Sequence, residues 1–236
     1  MRLNHFAVTL TAALCLTQPA SAASLRVAPV LIDLKAPTAT SHINLWNDAQ
    51  KPMNVQVRVF RWSQENGSDV LTPATDVVAS PPITSVKPGG QTLVRIVRTA
   101  KAPVAREESY RLVVDELPAA GRQASTVVMV VRHSIPIFFE QNSTSDASVE
   151  WSVAPAVGGY RVTAINKGDK RLKVANLSVK AGNALLARRN GLVGYVLGRS
   201  SVNWFVEGKK FSGGAITVQG EKEGGSFHAT AKLKGG

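Results

Sequence analysis

Thr126-Val127-Val128-Met129-Val130-Val131-Arg132-His133-Ser134-Ile135-Pro136-Ile137-Phe138-Phe139 is the stretch on which the reading of the whole chain turns. It is dense in β-branched and aromatic residues, its apolar positions alternate, and it reads as one long β-strand. Val127, Met129, Val131, Ile135, Ile137 and Phe139 fall on one face. Val128, Val130 and Phe138 fall on the other, interrupted by Arg132 and Ser134. A strand of an antiparallel sandwich shows one face to the core and the other to water. A second apolar face therefore has to be covered, either by the same chain or by a partner.

Outward from this stretch, the neighbouring segments also carry period-two patterns. Leu25 to Leu34 is a strand broken by Pro29, which removes a ladder donor and suits an edge or a change of partner. Ser41–Asn47 and Met53–Trp62 alternate on either side of the turn Asn47-Asp48-Ala49-Gln50-Lys51-Pro52 and form a hairpin. Gln91–Arg98 is a further strand. Arg106 to Pro118 has the Glu, Arg and Leu content of a helix, but Tyr110, Leu112 and Val114 alternate and Val113-Val114 are β-branched, so it reads as a strand. About seven strands with regular turn signals make an immunoglobulin-like sandwich. After the polar break Gln141 to Asp146, shorter strands follow at Val149–Val153, Tyr160–Asn166, Val174–Val179, Gly194–Leu197 and Val202–Phe205. The Gly- and Lys-rich end, Phe211 to Gly236, reads as a weak strand at Ala215–Val218 and a frayed tail. The fold class is all-β, with two tandem immunoglobulin-like domains at 23–140 and 141–236.

Residues 1–22 read as a signal peptide. A basic start at Arg2, an apolar run from Phe6 to Leu16 and the small-x-small site Ala20-Ser21-Ala22 predict export and cleavage after Ala22. The only cysteine, Cys15, lies in this segment, so the exported chain has no disulfide, thiolate ligand or cysteine nucleophile. No later run has the roughly 20 apolar residues needed to span a bilayer, and membrane insertion is not expected.

Without Arg2, 27 Lys and Arg face 16 Asp and Glu, a net charge of +11. The basic residues are scattered and have no helix-turn-helix or zinc-finger spacing, so the charge suits carboxylates or acidic surfaces rather than nucleic acid. His42, His133 and His228 lack metal-ligand spacing, and no metal or other cofactor is expected. Glu107/Glu108 and Asp115/Glu116 are adjacent pairs that a strand would point to opposite faces, so neither can act as a catalytic dyad. Ser109 and Ser134 lack a nucleophile-elbow context. The sequence nominates no catalytic residue, and an enzyme is not expected.

The run Arg106-Glu107-Glu108-Ser109-Tyr110-Arg111-Leu112-Val113-Val114-Asp115-Glu116-Leu117-Pro118, together with Ile165-Asn166-Lys167-Gly168 and Gly194-Tyr195-Val196-Leu197, resembles the periplasmic chaperones of the chaperone-usher pilus pathway. The Ala28-Pro29-Val30 opening and the Arg132 to Phe138 ending are similar to the archaic, or spore coat protein U-type, branch. The resemblance implies two immunoglobulin-like domains in a boomerang and residence in the periplasm. It implies pilus subunits and an outer-membrane usher as partners. It also implies donation of an edge strand to a subunit that lacks its own last strand.

By this resemblance Val127, Met129 and Val131 are the donated side chains. The family's usual cation pair for the subunit's terminal carboxylate is missing, because Val30 or Leu31 and Pro136 occupy its places. The alternatives for that role are, in order, Arg132, Arg95 and Arg26. A free edge strand also leaves self-association open. The competing reading is a tandem immunoglobulin-like adhesin or glycan-binding module.

Overall fold

The computed structural model describes residues 25–118, 130–141, 144–209 and 214–234, all strand and connection with no helix. The first unit contains β1 (Leu25–Ala28), β2 (Ile32–Lys35), β3 (Thr40–Asn47), β4 (Met53–Glu65), β5 (Ser68–Pro73), β6 (Val77–Ser80), β7 (Ile83–Val86), β8 (Gln91–Arg98), β9 (Glu108–Leu117) and β10 (Arg132–Glu140). The second contains β11 (Val149–Ala156), β12 (Gly159–Asn166), β13 (Leu172–Ala181), β14 (Ala184–Val196), β15 (Ser201–Glu207), β16 (Ile216–Lys222) and β17 (Gly225–Leu233).

In the first unit a sheet ordered β1-β3-β8-β6 packs on one ordered β2-β10-β9-β4-β5, with β7 also on β4. The core between them takes alternate residues from each strand: Ile43 and Leu45, Val55 and Val57, Val94 and Ile96, Tyr110, Leu112 and Val114, Ile135, Ile137 and Phe139. This is the half-buried alternation expected of a sandwich. Chain entry is as the proline implied: β1 pairs antiparallel with β3, and past Pro29 the chain crosses to the other sheet, where β2 pairs parallel with β10.

The second unit is a path of seven strands, β14-β13-β16-β17-β11-β12-β15, folded around its own core of Trp151, Val162, Leu177, Val196, Val218 and their neighbours. Its ends meet where Lys209 N–H donates to the Leu186 carbonyl at 2.8 Å.

One device recurs in both units. Asn47 and Asn166 are fully buried, and each amide nitrogen donates at 2.7 Å to the carbonyl four residues on, Lys51 or Lys170. The side-chain oxygens accept from Ala49 N–H at 3.0 Å and from Gly168 N–H at 2.9 Å, so each asparagine satisfies a turn that would otherwise leave backbone groups unpaired.

Three stretches depart from the sequence reading. The opening stretch forms a strand from Arg132 onward among the described residues, while Val127 and Met129 lie outside them. The expected frayed tail holds two full strands, β16 and β17. Their core contacts use small or spaced residues, Ile216, Val218 and Ala231, which give little periodic apolar signal. The segment expected only at Gly194–Leu197 is the end of the 13-residue β14, whose middle, Arg188 to Leu192, is exposed and interrupted by bulges.

Candidate functional site

The site is built on the outer edge of β10. β9 pairs with it from Arg132 to Phe139, but β2 covers its other side only from Ile137 to Glu140. Among the described residues, Arg132 to Pro136 has a ladder partner on one side only.

Pro136 fixes which backbone groups are left over. It has no N–H, so its register partner Arg111 faces it in a non-hydrogen-bonded pair, and the bonded pairs alternate on either side. Glu116 N–H donating to the Val131 carbonyl at 3.0 Å fits that alternation. The N–H and carbonyl groups of Arg132 and Ser134 therefore point to the open edge, while the Pro136 carbonyl faces the start of β2.

Val131 is half-buried and shares its parity with the core residues Ile135, Ile137 and Phe139. Val127 and Met129 would continue that row, but they lie outside the described residues.

The outer face of the same sheet forms three cross-strand rows: Gln56, Asp115 and Arg132; Arg58, Val113 and Ser134; Phe60, Arg111 and Pro136. In the first row Arg132 Nε donates to Asp115 Oδ1 at 2.5 Å, and Arg58 Nη2 donates to Oδ2 of the same carboxylate at 2.6 Å. Burial would raise the Asp115 carboxyl, but the two guanidiniums outweigh it and hold it below the usual carboxylate range.

Arg111 has no such partner. Its guanidinium lies 3.7 Å from the centre of the Trp62 ring and 5.8 Å from that of Tyr195, and it makes no hydrogen bond or ion pair with a described residue. Burial lowers its pKa, while Asp69 and Tyr195 oppose that at longer range. The stacking offsets part of the cost of desolvating this cation. An arriving carboxylate would offset more.

This face meets the second unit at a cluster of Trp62, Phe138, Tyr195 and Leu197, with Leu31 packed against it. Trp62 and Tyr195 meet edge to face at 5.6 Å, and Phe138 lies within 6.0 Å of both rings.

Beside the cluster sits Arg171, which is buried. It stacks 3.7 Å over Phe138 and pairs at 2.5 Å with Glu107 and with Asp33 of the first unit. Burial alone would lower the Arg171 pKa; Glu107 and Asp33 outweigh it and raise it.

The other proposed anchors face elsewhere. Arg26 stacks 4.5 Å over Trp46 and donates to Asp48 at 3.0 Å. Arg95 stands between His42 and Ser80 on the outer face of β8. Both belong to the sheet on the far side of the sandwich, whereas Arg132 shares the face of Arg111 two rows away. Arg111 and Arg171 were passed over in the sequence. The signal for Arg111 was its place between Tyr110 and Leu112, on the face opposite the apolar row Tyr110, Leu112 and Val114.

The adjacent acids diverge, with Glu107 on Arg171 and Glu108 on Arg98 at 2.8 Å. No group of residues suited to a metal occurs among the described residues, and no described helix is long and apolar enough to cross a membrane.

Residues 24–143 match the model of the pili and flagellar-assembly chaperone family, PapD N-terminal domain. The chain belongs to this chaperone family. Members assemble pili rather than catalyse a reaction, and the chain is not an enzyme. Solved chaperones share its two-domain fold.

The CsuC chaperone of Acinetobacter baumannii, solved with the tip subunit CsuE of archaic Csu pili, is 24% identical with a TM-score of 0.70 and covers 90% of this chain and 100% of its own. The SafB chaperone of Salmonella enterica, solved with the SafA pilin, is 18% identical with a TM-score of 0.61, covering 89% and 98%. The E. coli chaperone DraB is 22% identical with a TM-score of 0.59, covering 89% and 97%. A comparison with curated proteins finds no match.

Proposed function

We propose that this chaperone binds, folds and caps pilus subunits in the periplasm by lending them the open edge of β10, and that it delivers them to an outer-membrane usher. The observation that carries the reading is the half-paired strand: the outward N–H and carbonyl groups of Arg132 and Ser134 lack a ladder partner among the described residues. A subunit strand added there gains main-chain bonds that tolerate many sequences, and Val127, Met129 and Val131 fill its open core. Each of these side chains contributes about 1.5 to 3 kcal/mol when fully buried.

We assign the subunit's terminal carboxylate to Arg111. It lies cross-strand from Pro136, in the row where the family's lysine is missing, and it is a desolvated cation in want of a counterion. Arg132 is the next candidate but already has Asp115, and Arg95 and Arg26 face away. The proposed domain limits remain 23–140 and 141–236, after a signal peptide at 1–22.

The test uses a pilin from the same organism, diluted from denaturant in the presence of the chaperone. Wild-type protein should form a soluble one-to-one complex. Met129→Glu should weaken it at least about 100-fold, because a carboxylate would be buried unpaired. A glycan-binding module would be indifferent to that change, and retained capture by the mutant would sink the strand assignment.

For the anchor, a peptide of the pilin's last strand is titrated as free acid and as amide. Arg111→Ala should weaken the acid about 10- to 100-fold and leave the amide unchanged. Arg95→Ala should change neither.

A further inference from the structure

β4 is longer than its sheet requires. Asn54 to Arg61 pair with β9, but the strand runs on to Glu65 with β5 alone beside it, so the hairpin overhangs its own sandwich and reaches the second unit. Two contacts at its tip have the form of β-sheet pairing. The Gln64 side-chain amide donates from Nε2 to the Tyr195 carbonyl at 2.7 Å and accepts at Oε1 from the Leu197 N–H at 2.9 Å. A donor–acceptor pair that brackets one residue, here Val196, is what a residue of a parallel strand offers its neighbour.

At the turn, Gly67 forms a parallel bridge with Val202, and its carbonyl accepts from Asn203 N–H at 2.9 Å. The tip thus grips the end of β14 and the start of β15 through their main chains. Gly67 is required there twice over. Its φ is +79°, and a Cβ would lie 1.9 Å from Asn203 Nδ2.

The amide that Gln64 holds belongs to Tyr195, whose ring packs on Trp62 and forms a wall beside Arg111. Gln64 is itself buried, and Nε2 also bonds Asp69 Oδ1 at 2.9 Å, so the amide is held from both units. We propose that the Gln64–Gly67 hairpin tip is a latch that sets the angle between the two units, and that Gln64 and Gly67 are positioning residues for subunit capture. This rests on the chaperone reading above. The latch locates the Tyr195 wall relative to Arg111, so releasing it widens the site without touching the donor strand.

The test uses the chain from residue 23, which has no cysteine, with spin labels on cysteines introduced at Thr40 and Thr230, one in each unit. Wild-type protein should give a single narrow distance distribution. Gln64→Leu, which keeps the burial and loses the bonds, should broaden it and weaken capture of the same pilin about tenfold, with the first unit's unfolding midpoint unchanged; Gly67→Val should broaden it as well, at some cost to the β4–β5 turn. Gln64→Glu should bind poorly near pH 8. It should recover relative to wild type at the same pH as acid protonates it, because the neutral carboxyl can donate to Tyr195 again.

An unchanged distribution in Gln64→Leu overturns the latch. A broadened distribution with unchanged capture overturns its role in binding and leaves the chaperone reading intact. Wild-type protein that captures no pilin overturns that reading and the latch's role with it.

Discussion

The two halves of β10 share one backbone and differ in what surrounds it. From Ile137 to Glu140 the strand lies between β9 and β2 and every residue is buried. From Arg132 to Pro136 it pairs in register with β9 alone among the described residues, and Arg132, His133 and Ser134 keep some exposure. The covered half is fastened to both units, since Phe139 packs edge to face on Tyr110 in the core while Phe138 faces Tyr195 and carries Arg171 on its ring. In the proposed function, rigidity of one half is what makes the other useful. An edge held extended before the partner arrives loses little conformational freedom on binding, so more of the contact energy appears as affinity. The same edge left unpaired invites self-association, the cost of keeping it ready.

Substitution should separate the halves, and the largest effect belongs to the covered one. Phe139 is about fully buried, and Phe139→Ala should cost about 3 to 5 kcal/mol, read as a lower urea midpoint, a large share of a domain's usual margin. Met129→Glu should leave that midpoint within about 0.5 kcal/mol while weakening capture at least about 100-fold, as the proposed donation of that side chain to the subunit requires. If the two variants unfold alike, the strand has one job and the distinction fails.

A smaller effect tests the direction of the free groups. Ser134→Pro removes an N–H that points to the open edge and leaves the bonded pairs with β9 in place. Capture should weaken about tenfold, near the worth of one hydrogen bond, with little change in stability. Equal loss of stability and capture would mean that Ser134 N–H bonds β9 and that the alternation runs the other way.

The contrast between halves also explains what the sequence disclosed. Period-two alternation made the all-β class and the sandwich legible because Tyr110, Leu112 and Val114, or Ile135, Ile137 and Phe139, each fill one core face. It did not disclose β17, where Phe227, Ala229 and Ala231 pack inward, nor the exposed Arg188-Arg189-Asn190-Gly191 run inside β14, which lay outside the expected strands and is a bulged strand. The site was legible along one strand and not across strands. Pro136 showed that the expected lysine was absent, but only the register that sets Arg111 opposite it, and the packing that brings Trp62 and Tyr195 around that arginine, nominates the proposed replacement. Likewise Gln64 and Arg171 look like solvated residues until the second unit is folded against the first.

The smallest expected effect lies at the outermost rung of the open half. Asp115 holds Arg132 and Arg58, which are largely solvent-exposed at 65% and 43% of their side chains, so screening limits the group's worth to about 1 kcal/mol. Its folded-state pKa is depressed, so its stabilisation is fully present above the unfolded carboxyl value of about 3.9 and fades as the pH falls through the lower folded value. Wild type should therefore exceed Asp115→Asn by up to about 1 kcal/mol near pH 7. The gap should hold to about pH 5, narrow below about pH 4 and close in stronger acid. Urea midpoints across that range check the sign, because a gap that grew on acidification would require a raised pKa instead. Amide exchange checks the place. Loss of this rung should quicken exchange at His133 and Ile135, whose N–H groups point to β9, and leave Ile137 and Phe139 as slow as before, because β2 and the core hold that half without it.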